Sequence, residues 1–326
     1  MDILLTGSVA YDYIMKFPGY FRDHILPDQL DSICLSFLVE SMDRQRGGVA
    51  PNIGYTLALL GERPRLWAAV GEDFEEYRHW LVNAGIDASG ARVIPGVFTA
   101  SFFANTDRAN AQIASFYPGA MAHATQLSLH ELKNDLPDLV VISPNDPAAM
   151  DLYVHECKEL DLPYVYDPSQ QLVRLTPQEL RAGLEGAKAL FVNEYEFALI
   201  QKVAGITPGE IHKIVGFVVV TKGKHGTSIV TQEATYEIPV FPERRVVDPT
   251  GVGDAFRGGF LKGYALGLDW ETCGRMGSLA ATYCLEQEGT QGHSYTPREF
   301  VNRYREVFDD QGKLDVLADL PVTNRV

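Results

Sequence analysis

The 326-residue sequence predicts a doubly wound α/β domain, a mostly parallel sheet flanked by helices, with a small β lid. Two observations predict the sheet. Short apolar runs recur, each ending in Gly, Asp, Asn, Ser or Thr, and helix-start signals lie between them. A third observation predicts the lid: two stretches are too long and too β-prone to be strand-to-helix connections.

The strand candidates are Ile3–Leu5 into Thr6-Gly7, Leu66–Val70 into Gly71 and Leu139–Ile142 into Ser143. They continue with Pro163–Tyr166 into Asp167, Ala189–Val192 into Asn193 and Phe217–Val220 into Thr221. Near-continuous apolar runs, rather than alternating ones, suit strands buried on both faces. Thr176-Pro177-Gln178-Glu179, Thr207-Pro208-Gly209-Glu210 and Thr296-Pro297-Arg298-Glu299 predict capping boxes with Pro at the first helical position. Pro51 and Gly61 bracket a further short helix. Residues 13–45 separate the first strand from Gly47-Gly48 by far more than the usual connection of roughly 2–6 residues. Residues 96–118 contain the β-prone segments Phe98–Phe103 and Ile113–Tyr117. The α/β domain is therefore assigned residues 1–12, 46–95 and 119–326, and the lid residues 13–45 and 96–118. Ligands of such sheets bind beyond the carboxyl ends of the strands, so the polar strand-end residues are where chemistry is expected.

Charge narrows the function. With 28 Lys+Arg against 43 Asp+Glu the net charge is -15, which argues against a nucleic-acid partner. A phosphate ligand must then be held locally, by backbone amides, a few cations or a bridging metal. No apolar run approaches the roughly 18 residues of a membrane span, so no membrane partner is expected. An acidic residue stands in MDILLTGSVA where an export signal would be basic, and four cysteines without a CxxC pair are no disulfide scaffold. A cytoplasmic location is expected.

The strongest chemical signal is Asp248-Pro249-Thr250-Gly251-Val252-Gly253-Asp254-Ala255-Phe256. Gly251, Val252 and Gly253 open a helical run in which only Thr250 could serve as a side-chain cap. Free first-turn amides and the helix dipole make an anion site. Asp254 sits in the same turn, where the dipole should favour its ionised form. A carboxylate beside an anion hole suits a base that accepts a hydroxyl proton during phosphoryl transfer. The run lacks the third glycine of a dinucleotide fingerprint, and no GxxxxGK[ST], HExxH or GxSxG occurs.

The second signal is Gly47-Gly48-Val49-Ala50-Pro51-Asn52, a close-approach turn into a helix with Asn52 as donor and acceptor. Asn193 and Glu196 could lie near a metal-bound phosphate, although sequence alone favours a plain helix cap. Thr221 to Gly226 is a Gly-rich turn, usable for phosphate or only as a hairpin. Asp12 could bind a diol, and Phe102 and Phe116 could sandwich a planar base.

Together these segments resemble the ribokinase (PfkB) family of small-molecule kinases. Gly47 to Asn52 matches its N-terminal signature and Asp248 to Phe256 its C-terminal one, over a resemblance that runs from about residue 2 to residue 292. Thr6-Gly7-Ser8 with Asp12, Leu35 to Val39, Ala111 to Met121, Asn145-Asp146-Pro147 and Asp167 to Gln171 bring it nearest the bacterial adenosine kinases. Pro51 and Lys222 depart from the usual pattern, and the last thirty residues carry little of it. The resemblance implies transfer of the ATP γ-phosphate to the 5′-hydroxyl of adenosine. Asp254 would be the base and Gly251, Val252 and Gly253 the anion hole. Ser8, Asp12, Gly48 and Asn52 would hold the ribose. Phe102 and Phe116 would enclose adenine, with Ser36 and Gln170 or Gln171 at its edge. Asn193 and Glu196 would sit near Mg2+ and phosphate, Glu196 through water, and Thr221, Gly223 and Gly226 near ATP. A monovalent cation and a homodimer formed through the lid stay open. So do another nucleoside or sugar kinase of the family, and a nucleoside sensor that kept the fold without the chemistry.

Overall fold

The computed structural model describes residues 1–320. From its start the chain forms β1 (Ile3–Thr6), β2 (Ala10–Lys16), β3 (Ser41–Gly47), α1 (Val49–Leu59), β4 (Arg65–Val70), α2 (Glu75–Ala84) and β5 (Ala91–Val93). Next come β6 (Ala100–Thr106), β7 (Gln112–Tyr117), β8 (Leu139–Ile142), α3 (Pro147–Glu159), β9 (Tyr164–Tyr166), α4 (Pro177–Leu184), β10 (Ala189–Asn193) and α5 (Glu194–Ala204). The remainder is α6 (Pro208–Ile214), β11 (Phe217–Thr221), β12 (Thr227–Val230), β13 (Thr235–Ile238), α7 (Val252–Ala265), α8 (Trp270–Leu285), α9 (Pro297–Arg305) and α10 (Asp315–Ala318).

Nine strands form the main sheet in the order β13-β12-β11-β10-β9-β8-β1-β4-β5. All pairings are parallel except those of β12 and β13, which fold back antiparallel at one edge. The six apolar runs become β1, β4, β8, β9, β10 and β11. Their side chains are buried on both faces. Leu4, Val140, Leu190 and Val218 pack with residues of α3 to α6. Leu5, Val141, Phe191 and Val219 pack on the other face with residues of α1, α2, α7 and α8. The strand order reverses between β1 and β8, where the Ser8 N–H donates to the Pro144 carbonyl at 2.8 Å. Such a reversal is where a doubly wound sheet opens a crevice at its carboxyl edge.

The three predicted capping boxes form, each with Pro in the first turn. Pro51 is the third residue of α1 and so lies in its first turn, with Gly48 as the N-cap at φ 99°. A Cβ on Gly48 would lie 2.5 Å from the Ser8 carbonyl oxygen, so only glycine lets the helix start against β1. The final helices also do more than the sequence suggests. Phe300, Tyr304, Leu314 and Leu317 bury themselves with Met276 and Leu279 of α8.

A second sheet, ordered β3-β2-β6-β7, is the lid. Between β2 and β3 the expected β structure is missing. Two 3-10 turns (Phe21–Asp23 and Pro27–Ser32) and an irregular segment take its place, with Pro18 and Pro27 unable to donate to a ladder. β2 begins at Ala10, so Asp12 is carried by the lid sheet. Among the described residues no helix is long and apolar enough to cross a membrane.

Candidate active site

Among the described residues no side chain caps α7, whose N-cap Gly251 is at φ 76°. A Cβ there would come 2.8 Å from Thr290 Cβ, so glycine is required twice over. Thr250, the only candidate cap, instead donates its N–H to Asp248 Oδ1 at 2.9 Å. The first-turn amides thus keep no side-chain partner, as the glycine pattern predicts.

Asp254 lies in that turn and accepts a hydrogen bond from Asn52 Nδ2 at 2.9 Å. The dipole is expected to favour its carboxylate, and burial works against that form. Burial pushes Asp254 up to about 6, aided by Asp167 and Glu196 and opposed by Arg257 and the Asn52 bond. Desolvation disfavours the charged form, while the helix dipole favours it. A base must be unprotonated to accept. We therefore expect kcat to fall below pH about 6, approaching tenfold per pH unit, in a pH–rate series at saturating substrates.

One turn along α7, Arg257 is buried against Asp167, with Nε 2.5 Å from Oδ2 and Nη2 2.8 Å from Oδ1. Burial opposes its charge, yet Asp167 and Asp254 hold the guanidinium above its ordinary value. Its Nη1 lies 2.9 Å from where a Gly253 Cβ would stand. A fixed cation therefore borders the helix start in a protein with few to spare.

The lid register sets Asp12 opposite Phe102 and Phe102 opposite Phe116. Directly paired residues point to one face, so the carboxylate and both rings form a row. Gly47 leaves room for Asp12, whose Oδ2 would lie 2.5 Å from a Cβ there. Burial, and secondarily Asp248, push Asp12 up to about 6. Ser8 Oγ accepts from the Val49 N–H at 3.1 Å, which ties Gly48 and α1 to the end of β1. Ser36 is not brought in: it sits on the exposed segment between β2 and β3. Gln170 is exposed on a 3-10 turn, and Gln171 Oε1 accepts from Arg174. At the end of β8, buried Ser143 Oγ and Asn145 Nδ2 have no partner among the described residues.

A cavity of about 660 Å³ adjoins the helix start and is lined by Asn193, Thr221, Gly223, Gly226, Val252 and Gly253, among others. Six residues from three separate sequence signals thus share one wall. Asn193 and Glu196 form a reciprocal capping box, the arrangement sequence alone favoured. Thr221 to Gly226 turns between β11 and the antiparallel β12, so it is a hairpin as well as a cavity wall.

Residues 8–297 match the pfkB family of carbohydrate kinases. The chain belongs to the pfkB family. It is 31% identical over 93% of its length, and 95% of the relative's, to a nucleoside kinase of Methanothermobacter thermautotrophicus. A nucleoside kinase of Methanocaldococcus jannaschii is 29% identical over 92% of this chain and 96% of its own. Among solved structures, a Burkholderia thailandensis nucleoside kinase in complex with inosine superposes with a TM-score of 0.84 at 35% identity, covering 94% of this chain and 98% of that one.

The sequence missed several residues of this pfkB kinase's site. Arg257 stands in the apolar run Ala255 to Leu261, a hint that a buried charge needed a partner. Trp80, Tyr77 and Gln291, which back Asn52, left no such signal. Phe241, Ala281 and Thr282 line the cavity from segments the motifs did not reach. No group of three or more His, Cys, Asp or Glu side chains could cage a metal among the described residues. Lone Glu196, whose Oε1 already accepts from Ser169 Oγ at 3.2 Å, fits a Mg2+ held through water and phosphate rather than by a protein cage.

Proposed function

We propose that this pfkB-family kinase phosphorylates the 5′-hydroxyl of a nucleoside, adenosine first, giving the nucleoside monophosphate and ADP from ATP. The observation that carries the reading is the lid row of Asp12, Phe102 and Phe116. A carboxylate pairs with a ribose diol, and two rings side by side on adjacent strands offer a flat base an aromatic surface, whereas a free sugar would want polar groups there. The nucleoside kinases among its relatives support the same class.

In this reading Asp254 accepts the 5′-hydroxyl proton as the oxygen attacks, and Asn52 steadies its carboxylate. The amides of Val252 and Gly253 hold the charge that develops on the transferred phosphoryl group, with Arg257 behind them. Mg2+, when bound, neutralises phosphate charge, and Glu196 would hold it through water. Thr221, Gly223 and Gly226 would line the ATP side.

The test is ADP release from Mg-ATP with adenosine, inosine, cytidine, ribose and fructose in parallel. Turnover with nucleosides and not with free sugars is expected. Turnover with a sugar alone would remove the base-binding role of the lid, and nucleoside binding without turnover would favour a sensor. Phe102→Ala should raise the nucleoside KM by the equivalent of about 1–3 kcal/mol, the range for a base stacked on one ring, and leave the ATP KM unchanged. An unchanged nucleoside KM would take Phe102 out of the pocket.

A further inference from the structure

The Asn52 carboxamide could meet Asp254 with either end. Its N–H favours the carboxylate, whereas its oxygen tolerates only the protonated acid. Groups behind Asn52 decide between them. The indole Nε1 of Trp80 can only donate, and it lies 2.9 Å from Gln291 Oε1. The Tyr77 hydroxyl donates to the Gly47 carbonyl at 3.0 Å. It therefore presents a lone pair to Gln291 Nε2, 2.5 Å away. Both anchors, one turn apart on α2, turn Gln291 the same way: oxygen toward Trp80, nitrogen toward Tyr77. That same nitrogen lies 3.0 Å from Asn52 Oδ1. With its oxygen engaged by a donor, Asn52 has only its N–H left for Asp254 Oδ2. Tyr77 is fully buried, Asn52 is 5% exposed and Gln291 8%, so water competes little for these bonds.

We propose that Gln291, oriented by Trp80 and Tyr77, is a positioning residue for phosphoryl transfer, because it fixes which end of Asn52 faces Asp254 and so keeps Asp254 a proton acceptor. This rests on Asp254 being the base. Other groups that bear on Asp254 are Arg257 of its own helix, Asp167 after β9, Glu196 of α5 and the Cys284 thiol of α8. Gln291 hydrogen-bonds to none of them, so its effect runs through Asn52.

The test is the kcat–pH profile at saturating nucleoside and Mg-ATP, where the sugar covers Asp12 and its titration. Gln291→Leu keeps the volume and frees Asn52 to turn, so the acid limb should move up by about one pH unit, the worth of one hydrogen bond to a charged acceptor. Trp80→Phe keeps the ring, loses the N–H, and should move the limb the same way by less. A lower plateau with an unmoved limb in both variants would make Gln291 a structural residue and overturn the proposal. Asp254→Asn is assayed alongside. If it turns over, the base assignment itself fails. If it is inactive while the limbs stay in place, only the positioning role fails.

Discussion

Asp254→Asn lowers kcat by about 10²- to 10⁴-fold, the usual contribution of a positioned general base, while nucleoside binding stays nearly unchanged. The amide has the shape of the acid, and its oxygen still accepts the Asn52 N–H that now spans 2.9 Å to Oδ2. Only the capacity to take a proton at the reacting oxygen is lost. ADP release and calorimetric nucleoside binding, measured on the same preparation, separate the two effects. Wild-type turnover in the variant would remove Asp254 from the chemistry. Weakened binding without a fall in kcat would make it a ribose ligand instead.

Asp167→Ala destabilises the protein by about 3–5 kcal/mol, read as a fall of roughly 5–10 °C in the thermal midpoint. The reason is the partner left behind. Arg257 is buried with Asp167 at 0% exposure beside it, and its charge would remain with no counter-charge that close. Replacing both residues, as Asp167→Leu with Arg257→Met, should recover much of the loss, since an apolar pair carries no desolvation cost. A single variant that unfolds at the wild-type temperature would show that the pair contributes nothing to the fold.

Most of the α/β layer was legible because burial on both faces writes itself into a strand as an unbroken apolar run. Phe217 to Val220 and Leu139 to Ile142 became strands on this ground alone. Caps were legible too, since Thr-Pro-x-Glu satisfies a helix end within four residues. Strands β5, β12 and β13 were not read. β5 and β13 are the edge strands, where exposed positions dilute the apolar signal, and β12 beside β13 opens on the buried polar residues Thr227 and Ser228. The segment after β2 was read as β and is turn and loop.

The site divides along the same line. The sequence by itself determined the helix start at Gly251 and the carboxylate at Asp254, because free amides and a first-turn acid are local consequences of a glycine pair without a cap. It also determined Asn193 and Glu196 as a capping pair. Only the tertiary structure decided that Asp12 shares a face with Phe102 and Phe116, since the register of β2 on β6 joins segments far apart in sequence and the β6–β7 hairpin adds Phe116 beside Phe102. The same holds for the upward shift of Asp254, where burial among distant segments raises its carboxyl. The Trp80–Gln291–Asn52 chain is the extreme case, with hydrogen bonds spanning 211 and 239 residues of sequence. Desolvation and hydrogen-bond direction depend on which atoms meet in space, and no local pattern carries that information.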